Sequence, residues 1–374
     1  MMSLLQRYPT AALAALTLAV TLLGSSVFAG DNRSAPPPPT EWIATLDREH
    51  PLVGKVYATR TRAFVPVQDL ARSMALARFI LLGEVHDNPD HHQWQAWGIR
   101  AISILRGARI IEGAAQLDLV AMEMIRADQQ AALDKFYGRN VPVPRPMEPE
   151  ALGRLLEWDK SGWPDYAMYS PIVAQALYEQ ILIVPASPSL ELGRKISKDW
   201  DNTLSKDDLA RLKLDQDFTP DLQNALIEEI RDSHCGLIPE RAFFPMSRVQ
   251  RFRDATMADA LLSAGPYKGA ILIAGNGHVR RDRGVPYFLV ARGIPSESII
   301  SVAHIEVRTG EEDPPPYVPA APDGSPAVDF VVFTPRADRP DPCEKMRSEM
   351  DKRAPASPSA TPSPDVAQPP PRDP

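Results

Sequence analysis

Two histidines in this chain follow short apolar runs at the same spacing: Phe79-Ile-Leu-Leu-Gly83-Glu84-Val85-His86 and Ala270-Ile-Leu-Ile-Ala-Gly275-Asn276-Gly277-His278. Each run reads as a buried strand that delivers a histidine to its C-terminal edge. In an open α/β sheet, ligands collect in the crevice outside the carboxyl ends of the strands, so both histidines are expected at one cavity. Glu84 precedes the first histidine, and Glu123 sits inside another apolar run, where a carboxylate is costly to bury unless paired or bound to a cation. Two imidazoles and two carboxylates could hold Zn²⁺, Mn²⁺ or Co²⁺ with a position open for water. A water acidified by the metal, or taken by a glutamate base, could attack an ester or amide. Glu84, His86, Glu123 and His278 are therefore the candidate metal ligands and the candidate catalytic set. The competing reading is a satisfied polar network at the sheet edge.

The segments beyond the two histidines add candidate ligand contacts. After His86, Asp87 or Asn88 can cap and Pro89 can open a helix whose positive N-terminus faces the cavity and favours an anion. His91 and His92 are adjacent and cannot share a helix face, so at most one contributes, and His92 is the candidate. Asn276 lies in the second motif, and Arg280 and Arg281 follow it; a guanidinium there could grip a carboxylate, a haem propionate included. The alternative is pairing with the intervening Asp282. Tyr166 and Tyr169 are candidate iron ligands or wall residues. Gly275-Asn276-Gly277 is not a dinucleotide loop, because Arg280 stands where its third glycine belongs. A Gly-x-Ser-x-Gly elbow and a Cys-x-x-Cys-His haem attachment motif are both absent from the sequence.

Strands are expected at Phe79–Leu82, Asp118–Met124, Ile181–Pro185, Ala270–Ala274, Ser298–His304 and Val328–Phe333. Ser170-Pro171, Ser187-Pro188 and Thr219-Pro220 each pair an N-cap residue with proline at the first helical position. A helix over Met246–Ala264 stops at Gly265. This alternation predicts an α/β fold: a largely parallel sheet flanked by helices, with an inserted helical subdomain or lid at about 187–250. Residues 1–29 read as a signal peptide cleaved after Ala29, with Arg7 its one charge, and this predicts a periplasmic or secreted protein. Residues 30–40 carry the run Pro36–Pro39 and read as a linker. The α/β domain spans 41–345, and 346–374 form a Pro/Ser/Ala-rich tail, expected to be disordered.

The 374 residues, 44% of them hydrophobic, suffice for a packed core. A net charge of −7 argues against nucleic acid, whose phosphates require a basic face. The only cysteines, Cys235 and Cys343, are expected to be bridged in an oxidising compartment, tying the C-terminal segment to the domain.

Leu82-Gly-Glu-Val-His-Asp-Asn-Pro-Asp-His-His92, Glu123-Met with Asp128-Gln-Gln130, Trp163-Pro164, His234-Cys235-Gly236, Gln250 with Asp254, and Gly275-Asn-Gly-His-Val-Arg-Arg-Asp-Arg-Gly-Val-Pro286 together resemble the ChaN-like haem-uptake family. This family belongs to a superfamily with the Tiki metalloproteases and the erythromycin esterases. The resemblance spans roughly residues 75–305. It implies an α/β fold, an exported protein and haem as cofactor or cargo in iron uptake. An uptake role in turn implies a partner in the uptake machinery or at a membrane surface. The hydrolase branches imply ester or peptide cleavage by Glu84, His86, Glu123 and His278. A partner-binding scaffold with a vestigial site is the third reading.

Overall fold

All six expected strands form, each reaching slightly further towards the C-terminal edge than its apolar run. The computed structural model describes residues 34–107, 115–138 and 148–353; the signal-like segment 1–29 and residues 354–374 lie outside them. The strands are β1 (Val56–Ala58), β2 (Ala63–Val65), β3 (Phe79–Glu84), β4 (Leu117–Arg126), β5 (Leu182–Ser187), β6 (Gly269–Gly275), β7 (Ile299–Glu306) and β8 (Phe330–Thr334). They build one sheet in the order β2-β1-β8-β7-β3-β6-β4-β5. From β8 to β5 every pairing is parallel, and only β1 runs antiparallel, to β2 and β8.

The apolar strand runs are continuous rather than alternating because both sheet faces are covered. Phe79 and Leu81 join one core with Phe252, Leu261 and Phe288, while Ile80 and Leu82 join another with Leu70, Met74, Ile99 and Ile102. The helices Val67–Leu76, Pro89–Gly107 and Tyr166–Tyr178 supply the second core, and Phe243–Leu262 and Val285–Ala291 supply the first. Residues 187–250 hold helices and no further strand beyond the end of β5, as expected.

Helix starts follow the best available cap. Thr219 accepts from Leu222 N–H at 3.4 Å with Pro220 at the first position, as expected. Asn88 accepts from Asp90 N–H at 3.0 Å where Pro89 opens its helix. The other two starts differ. Asp165 accepts from Ala167 N–H and begins a helix at Tyr166, leaving Pro171 inside it. Ser187 ends β5, and Ser189 caps the helix Leu190–Lys198. Where a nearer side chain satisfies the free N–H groups, the Ser-Pro pair does not set the boundary.

The proline run belongs to no helix or strand, but it is not a free spacer. Trp97 Nε1–H donates to Pro36 O at 3.0 Å, and Gln68 bonds both the N–H and the carbonyl of Ala35. Residues 346–353, expected in the tail, continue the helix Pro342–Arg353. Cys343, in its first turn, is bridged to Cys235 with Cα atoms 5.7 Å apart. The bridge closes a sequence separation of 108, so opening it frees much chain entropy in the unfolded state. Cys343→Ser is expected to lose about 3 kcal/mol, read as a lower urea midpoint. An unchanged midpoint would show that the bridge adds nothing to stability.

Candidate functional site

Parallel pairing of β3 with β6 sets Gly83 beside Ala274 and Glu84 beside Gly275, so the two Gly-x-x-His segments leave the sheet side by side. Glycine is required at Gly83: a Cβ there would stand 2.3 Å from Asn276 Oδ1 and 2.8 Å from Val279 Cγ2. At Gly275 a Cβ would approach the His86 ring to 3.0 Å, so the bare backbone gives that imidazole its place. No helix among the described residues is long and apolar enough to cross a membrane.

Glu84 is buried and central to the first half of the site. Its Oε1 accepts from His86 Nδ1–H at 2.8 Å and from Tyr169 O–H at 3.2 Å. Its Oε2 lies 3.1 Å from His92 Nδ1, which is also 3.2 Å from Gln95 Oε1; the contact is an ion pair more than an aligned hydrogen bond. Burial opposes the charge of Glu84, but His92 and His86 outweigh it and hold the carboxyl well below its usual range. Burial likewise opposes the imidazolium of His86, and the Glu84 hydrogen bond with the Glu123 charge overcomes it. The His86 side chain is 37% exposed and meets Trp163 edge-on, ring centres 4.8 Å apart.

Glu123 organises the second half. One carboxylate oxygen accepts from Gly275 N–H at 2.8 Å, and the other meets the Arg253 guanidinium and lies 3.2 Å from His278 Nε2. His278 Nδ1–H donates to Asp254 Oδ1 at 2.6 Å. Burial alone would depress His278, yet Glu123 and Asp254 push it up to about 9. Burial lifts Asp254 to about 6 against the pull of His278. Despite its burial, Glu123 is held well below the carboxylate range by His278 and Arg253.

A cleft of about 620 Å³ opens over this half, with Glu123 and Arg253 on its floor. Its walls include Arg126, Trp163, Arg194, Ile230, His234 and Met246, drawn from the end of β4, the loop before Tyr166 and the helices of the 187–250 region. That region therefore forms one wall of the cleft.

Glu84, His86, Glu123 and His278 converge as the spacing predicted, but as ion pairs and not as a metal cage. Among the described residues no three His, Cys, Asp or Glu side chains are grouped to hold a metal ion. The carboxylates are engaged by cations of the chain itself. His92 is buried against Glu84, whereas His91 turns away to Thr334. Tyr169 is fully buried with its hydroxyl on Glu84 and the His86 carbonyl, so it braces the site from below. Asn276 Nδ2–H donates to His304 O, inside the fold. Arg280 pairs with Asp282, and Arg281 with Asp329 and Ser296; neither lines the cleft. Of the two readings of these arginines, a ligand grip or pairing with Asp282, the second is the one realised for Arg280.

Arg253 and Asp254, with Gln250 one turn earlier, come from the helix Phe243–Leu262. Gln250 Nε2 lies 3.2 Å from His278 Nδ1. The sequence signal for this group is an acid at i+4 from Gln250 on a helix face that is otherwise core. Arg126 and Arg194, also on the cleft wall, carry no motif spacing that would single them out, whereas His234 there belongs to the His234-Cys235-Gly236 segment of the family resemblance.

The family model described as haem-binding uptake, Tiki superfamily, ChaN matches residues 70–289, which hold every residue of the site. Among solved structures, that of cofacial heme binding to ChaN of Campylobacter jejuni is similar, with a TM-score of 0.54 and 23% identity. It covers 74% of this chain and 95% of that one. An erythromycin esterase mutant in its open conformation is more distant, with a TM-score of 0.34 and 15% identity over 79% of this chain and 86% of that one. No curated protein matches the sequence.

Proposed function

This chain belongs to the haem-binding uptake family of the Tiki superfamily, ChaN, and from that premise we propose that it binds haem in the cleft over Glu123 and Arg253. The observation that carries the reading is the composition of that cleft. Apolar side chains such as Leu226, Ile230 and Val249 and the indole of Trp163 offer a surface for a macrocycle. Arg194 offers a guanidinium group for a propionate, and Arg126 and Arg253, paired with Asp128 and Glu123, add positive charge to the same lining. His234 and Met246 add nitrogen and sulfur donors of the kind that ligate haem iron. The residues present therefore fit the group, which when bound would supply a redox-active iron as cargo or cofactor. The N-terminal pattern of residues 1–29 supports export to the periplasm or beyond, where haem capture for uptake takes place.

Titration with hemin is expected to give a saturable Soret shift. Arg194→Glu should weaken binding about tenfold or more, since a charge-assisted hydrogen bond contributes about 1.5–3 kcal/mol. An unshifted Soret band at micromolar protein would overturn the reading.

A second reading rests on one specific feature, the partly exposed His86 held by buried Glu84 and packed edge-on against the cleft residue Trp163. A base or acid oriented by a carboxylate is the arrangement general acid–base hydrolysis uses. Turnover of aryl esters that disappears in His86→Ala would favour it over haem binding.

A further inference from the structure

We propose that the amino-terminal edge of the sheet, opposite the cleft, is a docking surface for a membrane that bears anionic lipid. The strand registers define that edge. Phe79 pairs with Ala270 and Ile299, Leu117 with Gly269, Leu119 with Leu182, and Ala58 with Phe330. The turns that enter β3 to β8 and the tip of the β1–β2 hairpin therefore lie along one edge. They are joined to one another: Arg78 Nε–H donates to Lys268 O at 3.1 Å, Arg78 N–H to Ser298 O at 2.8 Å, and Lys268 Nζ–H to Gln116 Oε1 at 2.6 Å. One hollow on this edge is lined by Arg60, Ser296 and Glu297, and the next by Leu76, Tyr267 and Ser298.

Apolar exposure is concentrated on this edge. Among the described residues Tyr267, Tyr178 and Leu76 are the three most exposed large apolar side chains, at 88%, 80% and 67%, and all three stand here. Leu182, at the start of β5, is also exposed. A single exposed apolar side chain needs no explanation, but the three extremes gathered at one end of a fold do. They sit at the ends of separate helices and turns and do not form the enclosed central pocket that a protein hot spot fills. A layer of lipid headgroups accepts such separate side chains, and tyrosine in particular favours the membrane–water interface.

The same turns are basic, although the whole chain carries −7. Residues 59–62, 77–78, 179–181, 263–268 and 292–298 hold Arg60, Arg62, Arg78, Lys268 and Arg292 against Glu179 and Glu297. Arg292 is paired with Asp259, and the nearby Asp329 with Arg281. Arg60, Arg62, Arg78 and Lys268 meet no carboxylate among the described residues. Cations without acidic partners, set around exposed tyrosine and leucine, complement an anionic lipid surface, which attracts each basic residue within a Debye length. Attached by this edge, the protein turns its cleft, at the carboxyl ends of the strands, towards water.

The test is flotation of the chain from Gly30 onward, the form that cleavage after Ala29 leaves, with vesicles of phosphatidylcholine alone or mixed with phosphatidylglycerol. Binding is expected to the mixed vesicles only, and it should fall as salt is added. Arg60→Glu combined with Lys268→Glu should weaken it about tenfold or more. Leu76→Ser combined with Tyr267→Ser should weaken it by a similar factor, with circular dichroism unchanged. Arg241→Glu, before the helix Phe243–Leu262 and so at the opposite edge, should float as the wild type does. An environment-sensitive dye on Tyr267→Cys should shift to the blue when mixed vesicles are added, and the same dye on Arg241→Cys should not, a gain that misfolding does not produce. Equal binding to both kinds of vesicle, charge or apolar variants that float like the wild type, or a dye shift at 241 and not at 267 overturns the proposal. Absence of binding to mixed vesicles also overturns it, and capture by polyglutamate in that case would assign the face to an acidic chain. None of these outcomes bears on haem binding.

Discussion

Replacing Glu123 with Gln is expected to lower stability by about 3 kcal/mol near pH 6, because removing one partner of a buried ion pair leaves the others uncompensated. His278 and Arg253 converge on this carboxylate, and its second oxygen accepts from Gly275 N–H. Arg253 is partly exposed and can turn its charge to water, so most of the loss falls on His278, which stays buried between the new amide and Asp254. The pH dependence gives the prediction its signature. Glu123 is depressed, so its contribution is present above its ordinary pKa of 4.5 and lost as pH falls below it. His278 is raised, so its contribution is complete below 6.5 and disappears as pH rises through about 9. The difference between wild type and Glu123→Gln should therefore be widest between roughly pH 4.5 and 6.5 and shrink towards pH 9. Urea unfolding across that range, with the His278 imidazole followed by NMR, checks it. A difference that does not vary with pH would mean that Glu123 acts by packing and not by charge.

The two halves of the site differ in how far the sequence discloses them. Glu84, His86, Glu123 and His278 are legible because each interrupts or ends an apolar strand, and a parallel sheet places all strand ends at one edge. The β3–β6 adjacency is not legible, since β6 enters between β3 and β4 from far along the chain. Nor is the ion pairing: the Gln250–Asp254 spacing marks a helix face, but which carboxylate and histidine Arg253 and Asp254 meet depends on how that helix packs on the sheet. The strands β1 and β2 escape because each has three residues and β2 is largely exposed, too little for a periodic signal. Arg280 and Arg281 look like ligand grips from sequence proximity to His278. The turn after that histidine instead carries them to Asp282 and Asp329, away from the cleft. Proximity along the chain fixes a neighbourhood, while direction depends on the turn.

Acid should destabilise the fold through histidines that take no part in the cleft. His304 is buried in β7, with its Nδ1–H on Gly83 O at 2.7 Å, and burial lowers it to about 4. His91, also buried, accepts from Val85 N–H at Nδ1 and donates from Nε2 to Thr334 Oγ1, both at 2.8 Å; burial and the nearby His304 hold it well below 6.5. Both bonds of His91 specify the neutral ring, because a second proton would face the Val85 N–H. Both groups are depressed, so their stability is complete above pH 6.5 and is lost as the pH falls towards 4, where the unfolded chain takes up protons that the folded one refuses. For His304 the shift from 6.5 to about 4 corresponds to about 3 kcal/mol. Asp254, raised from 3.8 to about 6, works in the opposite direction over part of the same range. The comparison must therefore be between variant and wild type. His304→Gln, which can keep a donor towards Gly83 O, should be less stable at pH 7.5 and yet lose less on going to pH 4.5, its stability–pH slope shallower by up to one proton. Equal slopes would overturn the assignment to His304, since the carboxylates Glu84 and Glu123 begin to lose their contributions only below about pH 4.5.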